Sequence, residues 1–128
     1  MQHARAPTRR GRVANPTHEA TGTNRPCGDR LTLTLDVNAD HIRAARFDGE
    51  GCALAMATAS IVCDHLEGQP LTAVARVRTH VDAALVGSPT DLPESLAPLA
   101  AARAFPARHA CVCLAVQVLE RALHGEAG

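Results

Sequence analysis

Lysine, tryptophan and tyrosine are absent from this chain, and Phe47 and Phe105 are its only aromatic residues besides histidine. The core must therefore be packed from Ala, Val and Leu, which favours closely approached helices over an aromatic-filled sandwich. No apolar run of about 18 residues occurs, so no membrane-spanning helix is expected. The N-terminus also lacks the apolar stretch of a secretory signal peptide, and a cytoplasmic location is the resulting expectation. An excess of one charge is missing too: thirteen acids face thirteen Arg, for a net charge of zero. That balance gives no footprint for wrapping nucleic acid. The local exception is Arg5, Arg9, Arg10 and Arg12, which precede every acid. Residues 1–17 read as a basic, poorly ordered tail, with a docking arm for an acidic partner as the other reading.

What is present is enough for one domain, taken as residues 1–128: hydrophobic residues make up 46% of the chain. Residues 1–24, rich in Arg, Pro, Thr, Asn and Gly, read as irregular. From Arg30 the pattern becomes strict alternation. Leu31, Leu33, Leu35 and Val37 interleave with Thr32, Thr34 and Asp36, which predicts a half-buried strand. The short turn at Asn38-Ala39-Asp40 predicts an antiparallel return over His41 to Phe47. Gly49-Glu50-Gly51 ends that strand. Ala53 to Leu66 reads as a helix stopped by Gly68 and Pro70. A second helix is expected over Leu71 to Leu85. A broken helical stretch follows over Leu92 to Ala104, and a last helix from near Pro106 to Gly125. Strands first and helices after predict an α+β domain: a small antiparallel sheet of about three strands, covered on one face by the C-terminal helices.

Five cysteines cannot all pair, and cytoplasmic cysteines are more often metal ligands or reactive thiols than disulfides. Cys27 falls in a loop before the first predicted strand. Cys52 falls at a strand-to-helix junction, where free backbone N–H groups and the helix dipole favour a thiolate. Cys111 falls in the first turns of the last helix, near Arg108, whose charge would support a thiolate. Asp29 follows Cys27 by two residues, so an extended segment points both side chains the same way. Three thiolates and a carboxylate are a donor set that tetrahedral zinc accepts. No Cys-x-x-Cys pair is present, and on chemistry alone a lone cysteine on a helix is more often an inert core residue than a ligand. Cys63, among Ile61, Val62 and Leu66, reads as buried. Cys113 is turned away from Cys111 by helical geometry. The histidines are scattered; His109, two before Cys111, is the one weighed as an alternate ligand or proton carrier, and otherwise as exposed.

Three segments together resemble the motifs of the NifU-like, SufU-type proteins. They are Asn24-Arg25-Pro26-Cys27-Gly28-Asp29, Phe47-Asp48-Gly49-Glu50-Gly51-Cys52-Ala53, and Phe105-Pro106-Ala107-Arg108-His109-Ala110-Cys111. The similarity runs from about His18 to Leu123, with each segment in its expected structural context. The resemblance implies a SufE/NifU-like, IscU-like fold and a role in iron–sulfur cluster assembly. It implies a metal site of Cys27, Asp29, Cys52 and Cys111 holding zinc, and a zinc-dependent sulfurtransferase or a non-enzymatic assembly protein. By position Cys27 would accept persulfide sulfur from a cysteine desulfurase of the SufS type and pass it to downstream assembly proteins. Docking of that partner would exchange a zinc ligand and free the Cys27 thiolate. No nucleic acid or membrane partner is implied. IscU-type scaffolds carry His directly before the third cysteine, where this chain has Ala110, and a shorter gap between the second and third cysteines. Both differences, with Arg108, favour the SufU type. The chain departs from the family in the order of Arg25 and Pro26, in Ala110 where Lys is usual, and in having no evident N-terminal amphipathic helix.

Other readings of the same residues are an IscU-like scaffold assembling a [2Fe–2S] cluster or holding iron, since thiolates ligate both zinc and iron. A structural zinc module for protein binding is another. A thiol hydrolase or redox enzyme would need a base beside a cysteine, and His109 is the one candidate.

Overall fold

The structure is a computed structural model that describes residues 9–24, 28–86, 96–100 and 109–123. Strands β1 (His18–Asn24), β2 (Asp29–Asn38) and β3 (His41–Glu50) form an antiparallel meander in the order β1-β2-β3. Helices α1 (Ala53–Leu66), α2 (Thr72–Val86) and α3 (His109–Leu123) follow. The α+β arrangement expected from the order of patterns is the one found.

The alternation in β2 sets the inner face of the sheet. Leu31, Leu33 and Leu35 are each at most 1% exposed, and Ile42, Ala45 and Phe47 of β3 are fully buried beside them. Burying a Leu side chain contributes about 1.5–3 kcal/mol, so this row anchors the fold. The β2–β3 hairpin closes through Ala39 and Asp40, both at positive φ, 53° and 62°. Two successive left-handed residues suit the right-handed strand twist. Helix α3 lies along β1 and β2, α1 lies on β3, and α2 packs outside them against α3 and α1. Between Ala55 and Cys63 every residue of α1 is buried, which explains why small Ala, Ser and Thr fill it. Of the stretch 92–104, only residues 96–100 are described, a 3₁₀ turn that buries Leu96 and Leu99.

Strand β1 corrects the reading of residues 1–24 as irregular. Its inward positions are Ala20 and Gly22, both small, so no apolar alternation marks it. The smallness has a cause in packing. A Cβ on Gly22 would stand 2.6 Å from Val118 Cγ2, because α3 crosses β1 at close range.

Residues 9–17, expected within a poorly ordered tail, are held on the sheet. Phe47 N donates to Arg9 O at 3.0 Å and Gly11 N to Phe47 O at 2.7 Å, a short parallel pairing on the outer edge of β3. Val13 N then donates to Thr34 Oγ1, and Thr17 N to Leu35 O. Arg9 also pairs with Asp64 and Glu67 of α1. An edge strand offers unpaired backbone groups, and this segment occupies those around Phe47. Among the described residues no helix is long and apolar enough to cross a membrane.

Candidate metal centre

The inner face of the sheet changes character at one end. Along β2 the buried row Leu35, Leu33, Leu31 continues to Asp29, because side chains two apart share a face. Along β1 the row Ala20, Gly22 continues to Asn24, which pairs directly across from Asp29. The apolar face therefore ends in a carboxylate and an amide. Cys111, in the first turn of α3, lies over this end and is fully buried. Cys52 enters from the other side as the N-cap of α1, in extended conformation (φ −70°, ψ 158°), its sulfur accepting from Ala55 N at 3.4 Å.

One ligand atom from each of Asp29, Cys52 and Cys111 lies within 4.8 Å of the others. Cys52 Sγ and Asp29 Oδ2 are 3.9 Å apart. Tetrahedral bonds of 2.0–2.3 Å place zinc ligands about 3.5–3.8 Å from one another, so this spacing is close to what the ion demands. The carboxylate adds a second test. Asp29 is 1% exposed, yet no described ion pair includes it. Its partners are the N–H of Cys52, at 2.7 Å to Oδ1, and, at Oδ2, the Asn24 amide at 3.4 Å and the Cys52 thiol at 3.9 Å. A buried carboxylate without a cation is costly, and a bound cation removes that cost. The donor set and its charge both fit a divalent metal.

Three of the four ligand positions expected from the sequence are thus brought together. Cys27 and Arg108 lie outside the described residues. Asn24 was not singled out by sequence reasoning, although it opens the first motif segment. Its Nδ2 also reaches Cys111 Sγ, at 3.6 Å. Cys113 is half-buried; burial raises its thiol pKa first and the charge of Asp82 second, while Arg78 opposes them. His109 is partly buried, and its Nε2 has no hydrogen-bond partner among the described residues.

Gly51 carries the backbone between β3 and Cys52 at φ +153°. A Cβ there would come 2.3 Å from Asp29 Oδ1 and 2.8 Å from Asp29 Cα. Gly51→Ala should displace Asp29, lowering the melting temperature by the equivalent of about 1–3 kcal/mol and weakening any metal held beside it. Thermal melts and metal analysis check this, and an unaltered variant would contradict the contact.

Cys63 has the opposite character. Its thiol is pushed up to about 12, by burial first and then by Glu67. At pH 8 the thiolate fraction is about one in ten thousand, so iodoacetamide should label Cys63 only after unfolding. Rapid labelling of the native chain, read by mass spectrometry, would contradict the burial. The unfolded thiol titrates near 9.0. Above that pH the unfolded chain loses a proton that the native chain keeps. This group therefore lowers stability as pH rises from about 9, by about 1.4 kcal/mol per unit.

The model of the NifU-like N-terminal domain matches residues 1–124. The chain is 30% identical over 131 aligned residues to the zinc-dependent sulfurtransferase SufU of Bacillus subtilis, covering 100% of this chain and 88% of that one. It is 26% identical over 125 residues to the iron–sulfur cluster assembly scaffold protein IscU of Thermotoga maritima, covering 96% and 88%. In structure it resembles a protein of Fervidobacterium islandicum AW-1 assigned to iron–sulfur cluster assembly for the SUF system. The TM-score there is 0.83 at 24% identity, over 96% of this chain and 92% of that one. The N-terminal NifU-like protein of Brucella abortus superposes with a TM-score of 0.82 at 21% identity, over 96% and 88%. These two likenesses establish the fold, and the family match covers nearly the whole sequence. The chain belongs to the NifU-like N-terminal domain family.

Proposed function

We propose that this protein acts in iron–sulfur cluster assembly as a zinc-binding acceptor of persulfide sulfur. The observation that carries the reading is the convergence of Asp29, Cys52 and Cys111 around a space of zinc-ligand dimensions at the end of the sheet. Cys27 is proposed as the fourth ligand and as the acceptor. Two peptide units separate it from Asp29, a reach of at most about 7 Å between Cα atoms. Bound there, zinc would hold thiolates deprotonated without redox chemistry of its own.

This chain's own residues have three tasks. Cys52 N–H pins one oxygen of Asp29, so the carboxylate presents the other. Ala55 N–H holds the Cys52 sulfur at the helix start. Arg108 is proposed to support a thiolate on the opening turn of the last helix. In the transfer itself, the Cys27 thiolate attacks the terminal sulfur of a persulfide on a cysteine desulfurase of the SufS type. A new S–S bond forms on Cys27, the partner's S–S bond breaks, and the partner leaves as a thiolate. No electrons are gained or lost, and the carried sulfur can pass to downstream assembly proteins. Ala110, where a scaffold-type relative would carry His before the third cysteine, supports this reading over a resident [2Fe–2S] cluster.

The test is incubation with [35S]cysteine and a SufS-type desulfurase. Label that stays with this chain and is released by dithiothreitol, with faster alanine formation, is the expected result. An unlabelled chain that leaves the desulfurase rate unchanged would overturn the proposal.

A further inference from the structure

Asn24 reaches two of the three candidate ligands at once. Its Nδ2 lies 3.4 Å from Asp29 Oδ2 and 3.6 Å from Cys111 Sγ. An amide nitrogen carries two hydrogens, one for each contact, and a carboxylate can only accept. That chemistry fixes the amide with nitrogen toward the site and oxygen away from it. The oxygen contact is long for an N–H···O bond, so each contact is weak alone. Their value is geometric. Asp29 Oδ1 is already taken by Cys52 N–H at 2.7 Å. Oδ2 is the oxygen left to face Cys52 Sγ, 3.9 Å away.

The placement follows from register. Asn24 and Asp29 are cross-strand partners on the inner face, and α3 sets Cys111 above both. The three groups come from three elements: Asp29 is on β2, Cys111 on α3, and Asn24 on β1.

We propose that Asn24 is a positioning residue for the metal centre. Its amide holds Asp29 Oδ2 and Cys111 Sγ at ligand spacing, so that Asp29 binds through one oxygen and the β1 strand is coupled to metal retention. This rests on the metal-site reading given above. Outer-sphere partners of this kind are typically worth about 10–100-fold in metal affinity.

The experiment measures zinc affinity of the full chain by chelator competition, and visible spectra with cobalt as the probe. The variants are Asn24→Ala, which removes the donor, and Asn24→Leu, which fills similar space without one. Both should bind zinc about 10–100-fold more weakly. Cobalt forms should keep the thiolate charge-transfer bands while the ligand-field bands shift. Metal-free melting temperatures should stay within a few degrees of the unaltered chain. Affinity preserved by Leu but not Ala would mean simple space filling and would overturn the proposal. So would an affinity loss matched by collapse of the metal-free fold in both variants. Asp29→Asn and Cys52→Ser, run alongside, separate the two claims. If they lose zinc and the Asn24 variants do not, the positioning role alone fails. If they too bind as the unaltered chain does, the metal centre itself is wrong.

Discussion

Asp29→Asn should cost this protein roughly 100-fold or more in zinc affinity while leaving the metal-free chain folded and cooperative. The first half follows from sharing a structural zinc free energy of about 10–16 kcal/mol among four ligands, about 3 kcal/mol each. The second half follows from the geometry of the carboxylate. Oδ1 accepts from Cys52 N–H at 2.7 Å, and the Asn amide oxygen can replace it there. What the variant removes is a charge that is 1% exposed and has no cationic partner among the described residues. In the proposed metal site that charge serves as a ligand. The stabilisation on adding zinc should therefore shrink sharply, since it scales with the logarithm of metal concentration over dissociation constant. Chelator competition and paired melts with and without zinc check both halves. Unaltered affinity, or a metal-free variant that no longer melts cooperatively, would contradict the account.

Cys27→Ala should abolish sulfur acceptance and spare the fold. No described element of the core depends on residue 27: the inner face is built from Leu31, Leu33, Leu35, Ile42 and Phe47 under the three helices. With a SufS-type desulfurase, dithiothreitol-releasable label on the variant should fall to background. Its far-ultraviolet circular dichroism should match that of the unaltered chain. Label retained in full would move the acceptor role to another cysteine. Cys63 is a poor alternative, because burial keeps it protonated.

The parts of the fold that were legible in the sequence are those where one pattern decides one element. Strict alternation from Leu31 marked β2, the turn at residues 38–40 marked the hairpin, and the run from Ala53 to Leu66 gave α1 with its observed ends. Strand β1 was not legible, because its inward residues are kept small by the approach of α3, a tertiary fact. The attachment of residues 9–17 also depends on partners distant in sequence, Phe47, Thr34 and Leu35. Arg9 could not announce its bonds to Asp64 and Glu67. At the centre, the donor types stood in the sequence: an aspartate on an extended segment, a cysteine at a strand-to-helix junction and a cysteine opening a helix. Chemistry alone left the cysteines open as core residues, and only the resemblance grouped them. Asn24 could not be picked out, since its role exists only once β1 pairs with β2 and α3 covers the pair.

Elemental analysis of the protein purified without oxygen, for zinc, iron and acid-labile sulfide, tests the central claim most directly. The account predicts about one zinc per chain and no sulfide, with Cys27, Asp29, Cys52 and Cys111 as the proposed ligands. Iron with matching sulfide, or a chain free of all metal, would contradict it.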